Sequence, residues 1–221
     1  MNQQIKTILP LAAFAAVAMT GATQAAATAG IITPVSISTN GEGAIYSALT
    51  GLIDGVGLSG NGDSGDILTE THAWGSSANS WHSNNGNGAA TVMTLDLGGT
   101  FNVDSIHIWN DNQSNSVVQR SVKTLDISFS SDGTNFTNLI DNLGDFLLPT
   151  HVPLSDGLTP VSTLSFTAVS GVTHIRLADF QQHGTTFTAM DEVRFGEAVP
   201  EPSTTALLGL GGLALILRRR K

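Results

Sequence analysis

The chain has 221 residues, with 9 basic and 18 acidic side chains, six histidines, no cysteine and a formal net charge of −9. The lack of cysteine excludes disulfides, thiolate metal sites and a cysteine nucleophile. The acidic balance excludes nucleic acid and disfavours anionic lipid as partners of the folded body.

The N-terminus opens with Lys6, continues as an apolar run from Ile8 to Met19 and reaches Ala25-Ala26-Ala27. A positive start, an apolar stretch and a small-residue cleavage site make a secretory signal peptide of residues 1–27. Residues 28–198 then suit one domain, long enough to bury its own core. Its basic residues are only Arg120, Lys123, Arg176 and Arg194, against nearly all of the acidic ones. Such a body has carboxylates to spare for cations.

The body is rich in Gly, Asn, Ser and Thr, with Asn-Gly at Asn40, Asn61, Asn85 and Asn87. Asn and Gly tolerate positive φ and so mark tight turns. Between the turns, apolar and polar residues alternate at period two, as in strands with one buried face. Met93, Leu95 and Leu97 share a face in Thr91 to Leu97, Ile106 and Ile108 in Val103 to Trp109, and Leu125, Ile127 and Phe129 in Val122 to Ser130. Leu164 and Phe166, Ile175 and Leu177, and Val193 and Phe195 repeat the pattern. Short strands of this kind predict an all-β fold of two antiparallel sheets packed face to face.

The chain ends with Val199-Pro-Glu-Pro-Ser203, an apolar run from Thr204 to Leu217 and the cations Arg218, Arg219, Arg220 and Lys221. Proline fixes φ and lacks an N–H, so Pro200 and Pro202 separate this tail from the body. As a helix the apolar run would extend about 21 Å against a hydrocarbon core of roughly 30 Å, which makes it a weak, transient anchor in the inner membrane. The terminal cations favour the cytoplasmic face and leave the body outside. This ending resembles the PEP-CTERM sorting signal of Gram-negative bacteria, here residues 199–221 with the motif Pro200, Glu201 and Pro202. The resemblance implies recognition and removal by an exosortase.

A second resemblance covers most of the body. Leu52-Ile-Asp-Gly55, Trp81-His-Ser-Asn84, Leu95-Asp-Leu-Gly98, Leu125-Asp-Ile-Ser-Phe-Ser-Ser-Asp-Gly133, Val172-Thr-His-Ile-Arg-Leu177 and Met190-Asp-Glu-Val-Arg-Phe195 occur in the order of a discoidin-like (coagulation-factor type C) domain. The resemblance implies a galactose-binding-like jelly-roll β-sandwich. It also implies a structural calcium, with Asp54, Asp63, Asp66 and Glu192 as its candidate ligands. Calcium takes six to eight oxygens, which a glycine-rich loop beside carboxylates can supply. The alternative is that Asp54-Gly55 is an ordinary turn and Glu192 pairs with Arg194 or Arg176.

Loops at residues 76–88, 110–119 and 180–186 form the expected ligand surface, with Trp74, His82, Asn84, Asn110, Asn112, Gln182 and His183 as candidate contacts. Amides both donate and accept, which suits sugar hydroxyls. For Trp81 the resemblance to the family's W-x-S-N tryptophan implies a buried plug, with a sugar-stacking platform as the alternative, and Trp109 reads as lying either on the second sheet face or at a loop edge. The histidines show neither His-x-x-x-His nor His-Glu-x-x-His spacing, and nucleophile-elbow, P-loop and dinucleotide motifs are missing. The expected function is therefore that of an exported, non-catalytic protein of the cell surface or extracellular matrix, binding exopolysaccharide through its loops. The alternatives are an acidic structural matrix protein without a specific ligand and a glycoside-active enzyme.

Overall fold

A computed structural model describes residues 30–40, 49–62, 66–73, 80–83, 88–111, 120–140, 158–184 and 187–198. The signal-peptide and sorting-signal expectations fall outside these residues. Among the described residues no helix is long and apolar enough to cross a membrane.

The described residues form ten strands. They are β1 (Ile31–Ile32), β2 (Ser36–Thr39), β3 (His72–Ala73), β4 (Trp81–His82), β5 (Met93–Asn110), β6 (Val122–Ser130), β7 (Thr137–Ile140), β8 (Leu158–Thr159), β9 (Val161–Gln182) and β10 (Ala189–Glu197). The strand pairings are antiparallel, and the main order is β1-β10-β5-β9-β6-β7, with β2 joined to β5 and β4 to β10. A two-stranded sheet of β3 and β8 stands apart.

Two strands, β5 and β9, serve both layers of the resulting β-sandwich. The first part of β5, Met93 to Asp96, pairs with β2 and with Leu177 to His174 of β9. Its last part pairs with β10 and with Val161 to Ser165 of β9. Register shifts separate the two parts between Asp96 and Ser105. Gly98 (φ 73°) and Gly171 (φ 74°) stand at this change in β5 and β9, in the left-handed region that side chains resist. The segments expected as separate strands at 91–97 and 103–109 are thus one strand, and so are those around Leu164 and Ile175. Alternation reports the buried face, and it persists through a bend that leaves the strand unbroken.

The core takes Met93, Leu95, Leu125, Ile127, Phe129, Ile175 and Leu177 from one layer and Ile106, Ile108, Val193 and Phe195 from the other. Trp81 packs in this core with its ring 5.3 Å from that of Phe180, the plug role expected of it. On β10, Val193 and Phe195 alternate with Glu192 and Arg194, yet all four are buried. The outer face of β5 and β10 is covered by the irregular segment that follows the 3-10 turn Leu49–Leu52. Leu58 and Ile67 of that segment close over Trp109 as a second small core. Trp109 therefore lies on the second sheet face, and its indole N–H donates to the Glu70 carbonyl at 2.9 Å.

Candidate functional site

The described residues that flank the three expected loops lie at one end of the sandwich. There β4, the end of β5, the start of β6, the end of β9 and the start of β10 are neighbours: Ala189 pairs with His82, Met190 with Asn110 and Val122 with Gln182. Ser121 bridges to Ala189, which ties the segment before β6 to β10.

Polar side chains beneath this end hold its strands in place. Asn110 is buried and bridges β5 to β6, donating from Nδ2 to the Val122 carbonyl at 2.7 Å and accepting from the Val122 amide at 2.9 Å. Ser83 and Thr188 exchange two bonds: the Ser83 amide donates to the Thr188 carbonyl at 2.8 Å, and the Thr188 amide donates to the Ser83 hydroxyl at 2.9 Å. An amide that satisfies two buried backbone groups imitates a strand partner, so Asn110 is a scaffold residue.

His82 is buried as well, with Nε2 3.0 Å from the Ser80 hydroxyl and 3.9 Å from Asp111. Burial, reinforced by the nearby positive charge of Arg120, lowers its pKa to about 4, so the ring is neutral at neutral pH. The expectation that His82 and Asn110 contact a ligand is corrected on these grounds. Ser80 and Asp111 both address the same ring nitrogen, and all three side chains are buried. A nucleophilic relay needs the carboxylate on the opposite nitrogen and an accessible hydroxyl.

Gln182 and His183 are half-buried at the end of β9, and the Gln182 side-chain oxygen accepts from the Thr188 hydroxyl at 3.4 Å. Two residues outside the expected set join them. The Arg120 guanidinium sits over the Phe187 ring, 5.0 Å from its centroid, and both residues are partly exposed. The other three cations of the body are placed elsewhere: Arg194 is buried beside Glu192, Arg176 stacks on Phe136 at 3.7 Å, and Lys123 is exposed on β6. Arg120 is thus the cation of the loop end. Its rarity in an acidic body was a signal open to sequence reading, whereas Phe187 follows Gly184-Thr-Thr186 with no periodicity to mark it. Trp74, Asn84 and Asn112 lie outside the described residues.

The candidate metal ligands are dispersed in role. Glu192 accepts from the Gly55 amide at 3.1 Å through Oε2 and from Arg194 through Oε1. Burial raises its pKa, and the Arg194 charge and the Gly55 amide oppose the rise. Asp54 is exposed and accepts from the Val56 amide at 2.9 Å. Asp66 is exposed and caps the 3-10 turn Ile67–Thr69 by accepting from the Leu68 amide. Asp63 lies outside the described residues. Among those residues no group of three or more His, Asp or Glu side chains is arranged to hold a metal ion. His107 is buried and bonds Thr163 at 2.9 Å, and His174 is partly exposed, with Nδ1 2.9 Å from the Thr173 hydroxyl.

Residues 198–221 match the PEP-CTERM protein-sorting motif. The chain carries an export-sorting signal. This motif marks it as a protein sorted to the cell envelope. No curated protein matches the sequence. Among solved structures the chain is similar to the family 32 carbohydrate-binding module of NanJ from C. perfringens in complex with galactose. The identity is 15% and the TM-score 0.48, over 76% of this chain and 98% of that one. It is also similar to the CBM32 of AlyQ in complex with 4,5-unsaturated mannuronic acid, at 20% identity and TM-score 0.44 over 76% and 98%. A pectin-binding carbohydrate-binding module matches at 19% identity and TM-score 0.41 over 77% and 96%.

Proposed function

We propose that this PEP-CTERM protein is a non-catalytic glycan-binding module of a Gram-negative cell surface or its extracellular matrix, released to its site by an exosortase. The observation that carries the reading is the Arg120–Phe187 pair, partly exposed at the end of the sandwich where five strands meet. An aromatic ring offers an apolar face to the C–H patch of a pyranose, and a guanidinium donates in a fixed fork to hydroxyls or carboxylates. Gln182 and His183 add polar groups to the rim. The buried Asn110, Ser83 and Thr188 bonds hold the platform in place before any ligand arrives, which lowers the ordering cost of binding. Trp74, Asn84 and Asn112 are assigned to this surface by sequence position alone.

The test is a glycan array together with affinity electrophoresis in the producer's own exopolysaccharide, using the full chain in mild detergent. Retention that Phe187→Ala abolishes supports the reading; no retention on any polysaccharide removes it. Association that disappears with a chelator and ignores substitutions at Arg120 and Phe187 would instead favour an acidic matrix protein without a specific ligand.

A further inference from the structure

The described residues of 54–62 and 66–73 lie on the opposite side of β10 from the main core, and three of their backbone N–H groups turn inward. Gly55 donates to Glu192 Oε2 at 3.1 Å. Gly60 and Gly62 donate to Glu70 Oε2 at 2.8 Å and 3.2 Å. Glu70 and Glu192 are both buried, and Glu70 is anchored in turn by Trp109, which bonds its carbonyl. A calcium site requires the reverse polarity, with six to eight oxygens turned toward a common centre.

A positive charge is already present. Arg194, 2% exposed, places Nη1 on Glu192 Oε1 and also donates from it to the Val193 carbonyl at 2.9 Å. Its Nη2 lies 3.8 Å from where a side chain at Gly62 would begin, so the guanidinium extends from β10 to the Asn61–Gly62 turn. Glu192, the candidate ligand on the last strand, is therefore engaged on both oxygens by donors from the chain itself. Asp66 is committed to capping a turn. The donor set that the discoidin resemblance assigns to calcium does not fit a metal among the described residues.

We propose that the Arg194 guanidinium takes the place of a structural calcium, fastening the 54–73 segment to β10 from within the chain and making the fold independent of metal. The two residues are one pleat apart on the same strand, so the cation is delivered in register whenever β10 forms. The inference concerns the covered sheet face and is independent of what binds at the loop end.

The test compares thermal unfolding of the full chain in excess calcium and in EDTA, with amide hydrogen exchange at Gly55, Gly60 and Gly62. A structural calcium held at about 100 times its Kd would raise the Tm of a domain this size by roughly 5–10 °C. The expected result is the same Tm and the same amide protection in both conditions. A calcium-dependent rise in Tm, or loss of protection at these glycines in EDTA, overturns the proposal. Arg194→Met is expected to lower the Tm and expose the Gly55 amide to exchange, while Arg194→Lys, which keeps the charge, retains more of both. An Arg194→Met chain as stable and as protected as the parent would equally overturn it. If Arg194→Met does not fold, Arg194→Lys and the parent chain still decide.

Discussion

Phe187 lies beneath the guanidinium of Arg120, 67 positions earlier in the chain, with 5.0 Å between the charged carbon and the ring centroid. The pair joins the segment before β6 to the segment before β10, and Ser121 and Ala189 bridge beside it. A cation–π contact at a partly exposed site contributes about 0.5–1 kcal/mol, too little to define a core but enough to orient both groups toward solvent.

Substitution at this pair should therefore separate binding from stability. Phe187→Ala or Arg120→Ala is expected to weaken retention on the cognate polysaccharide at least tenfold, while urea unfolding shifts by about 1 kcal/mol or less. Affinity electrophoresis and urea melts of the same preparations check this. Equal losses in both would mean that the pair is structural.

Asn110 predicts the converse. Asn110→Ala leaves the Val122 amide and carbonyl without their buried partner, and each such group costs roughly 1–3 kcal/mol. A loss of about 2–4 kcal/mol is expected in urea denaturation, with any change in glycan retention following from the displaced loop end. Unchanged stability would show that the bridge contributes nothing.

His82 gives the sandwich a defined sensitivity to acid. Its pKa is 6.5 in an open chain and about 4 when folded, so the unfolded state takes up the proton first. Its contribution is complete above 6.5 and is lost as pH falls toward 4, a change of about 3 kcal/mol. Ser80, Asp111 and Arg120 are among the polar groups that face it. His72 and His107 are lowered by burial and act in the same sense. Glu192, raised by burial, acts in the opposite sense, its contribution being greatest in acid and lost as pH rises through its folded value. Comparing the parent with His82→Asn isolates the histidine: the stability gap at pH 7 should narrow as pH approaches 4. A constant gap would refute the assignment.

Gly55 combines φ 74° with a position where a side chain would begin 2.6 Å from the Asn61 carbonyl oxygen. Gly55→Ala is expected to cost about 2 kcal/mol or more and to increase exchange at its own amide, the one donated to Glu192. Chemical denaturation with hydrogen exchange measures both.

Much of the framework was legible because alternation exposes which face of a strand is buried. Met93, Leu95, Ile106, Ile108, Ile127, Val193 and Phe195 all point inward as the pattern requires. Trp81 was likewise readable as a plug. Alternation is silent about what covers the other face. Nothing at period two in residues 54–73 announces that they lie over β10, and Gly55 meets Glu192 across 137 positions of sequence. For the same reason Trp109 stayed ambiguous, although a tryptophan beside two core isoleucines already required a second shelter. At the loop end the sequence misjudged depth: His82 and Asn110 are polar and adjacent to turns, yet their side chains are buried and bond to the protein itself. Residue type shows what a side chain can bond, and only the packing shows whether water or backbone supplies the partner.

The continuity of β5 and β9 across both layers makes the two sheets a single object. Neither can be excised, nicked free or melted first, because the same backbone supplies central strands to each. Unfolding of such a body should be all-or-none, and its assembly waits on joining segments as remote as Ser36 and Asp96, or Val103 and Glu197, before either layer has an interior. For a protein sorted to the cell envelope, the arrangement leaves little middle ground between an unstructured chain and a finished sandwich.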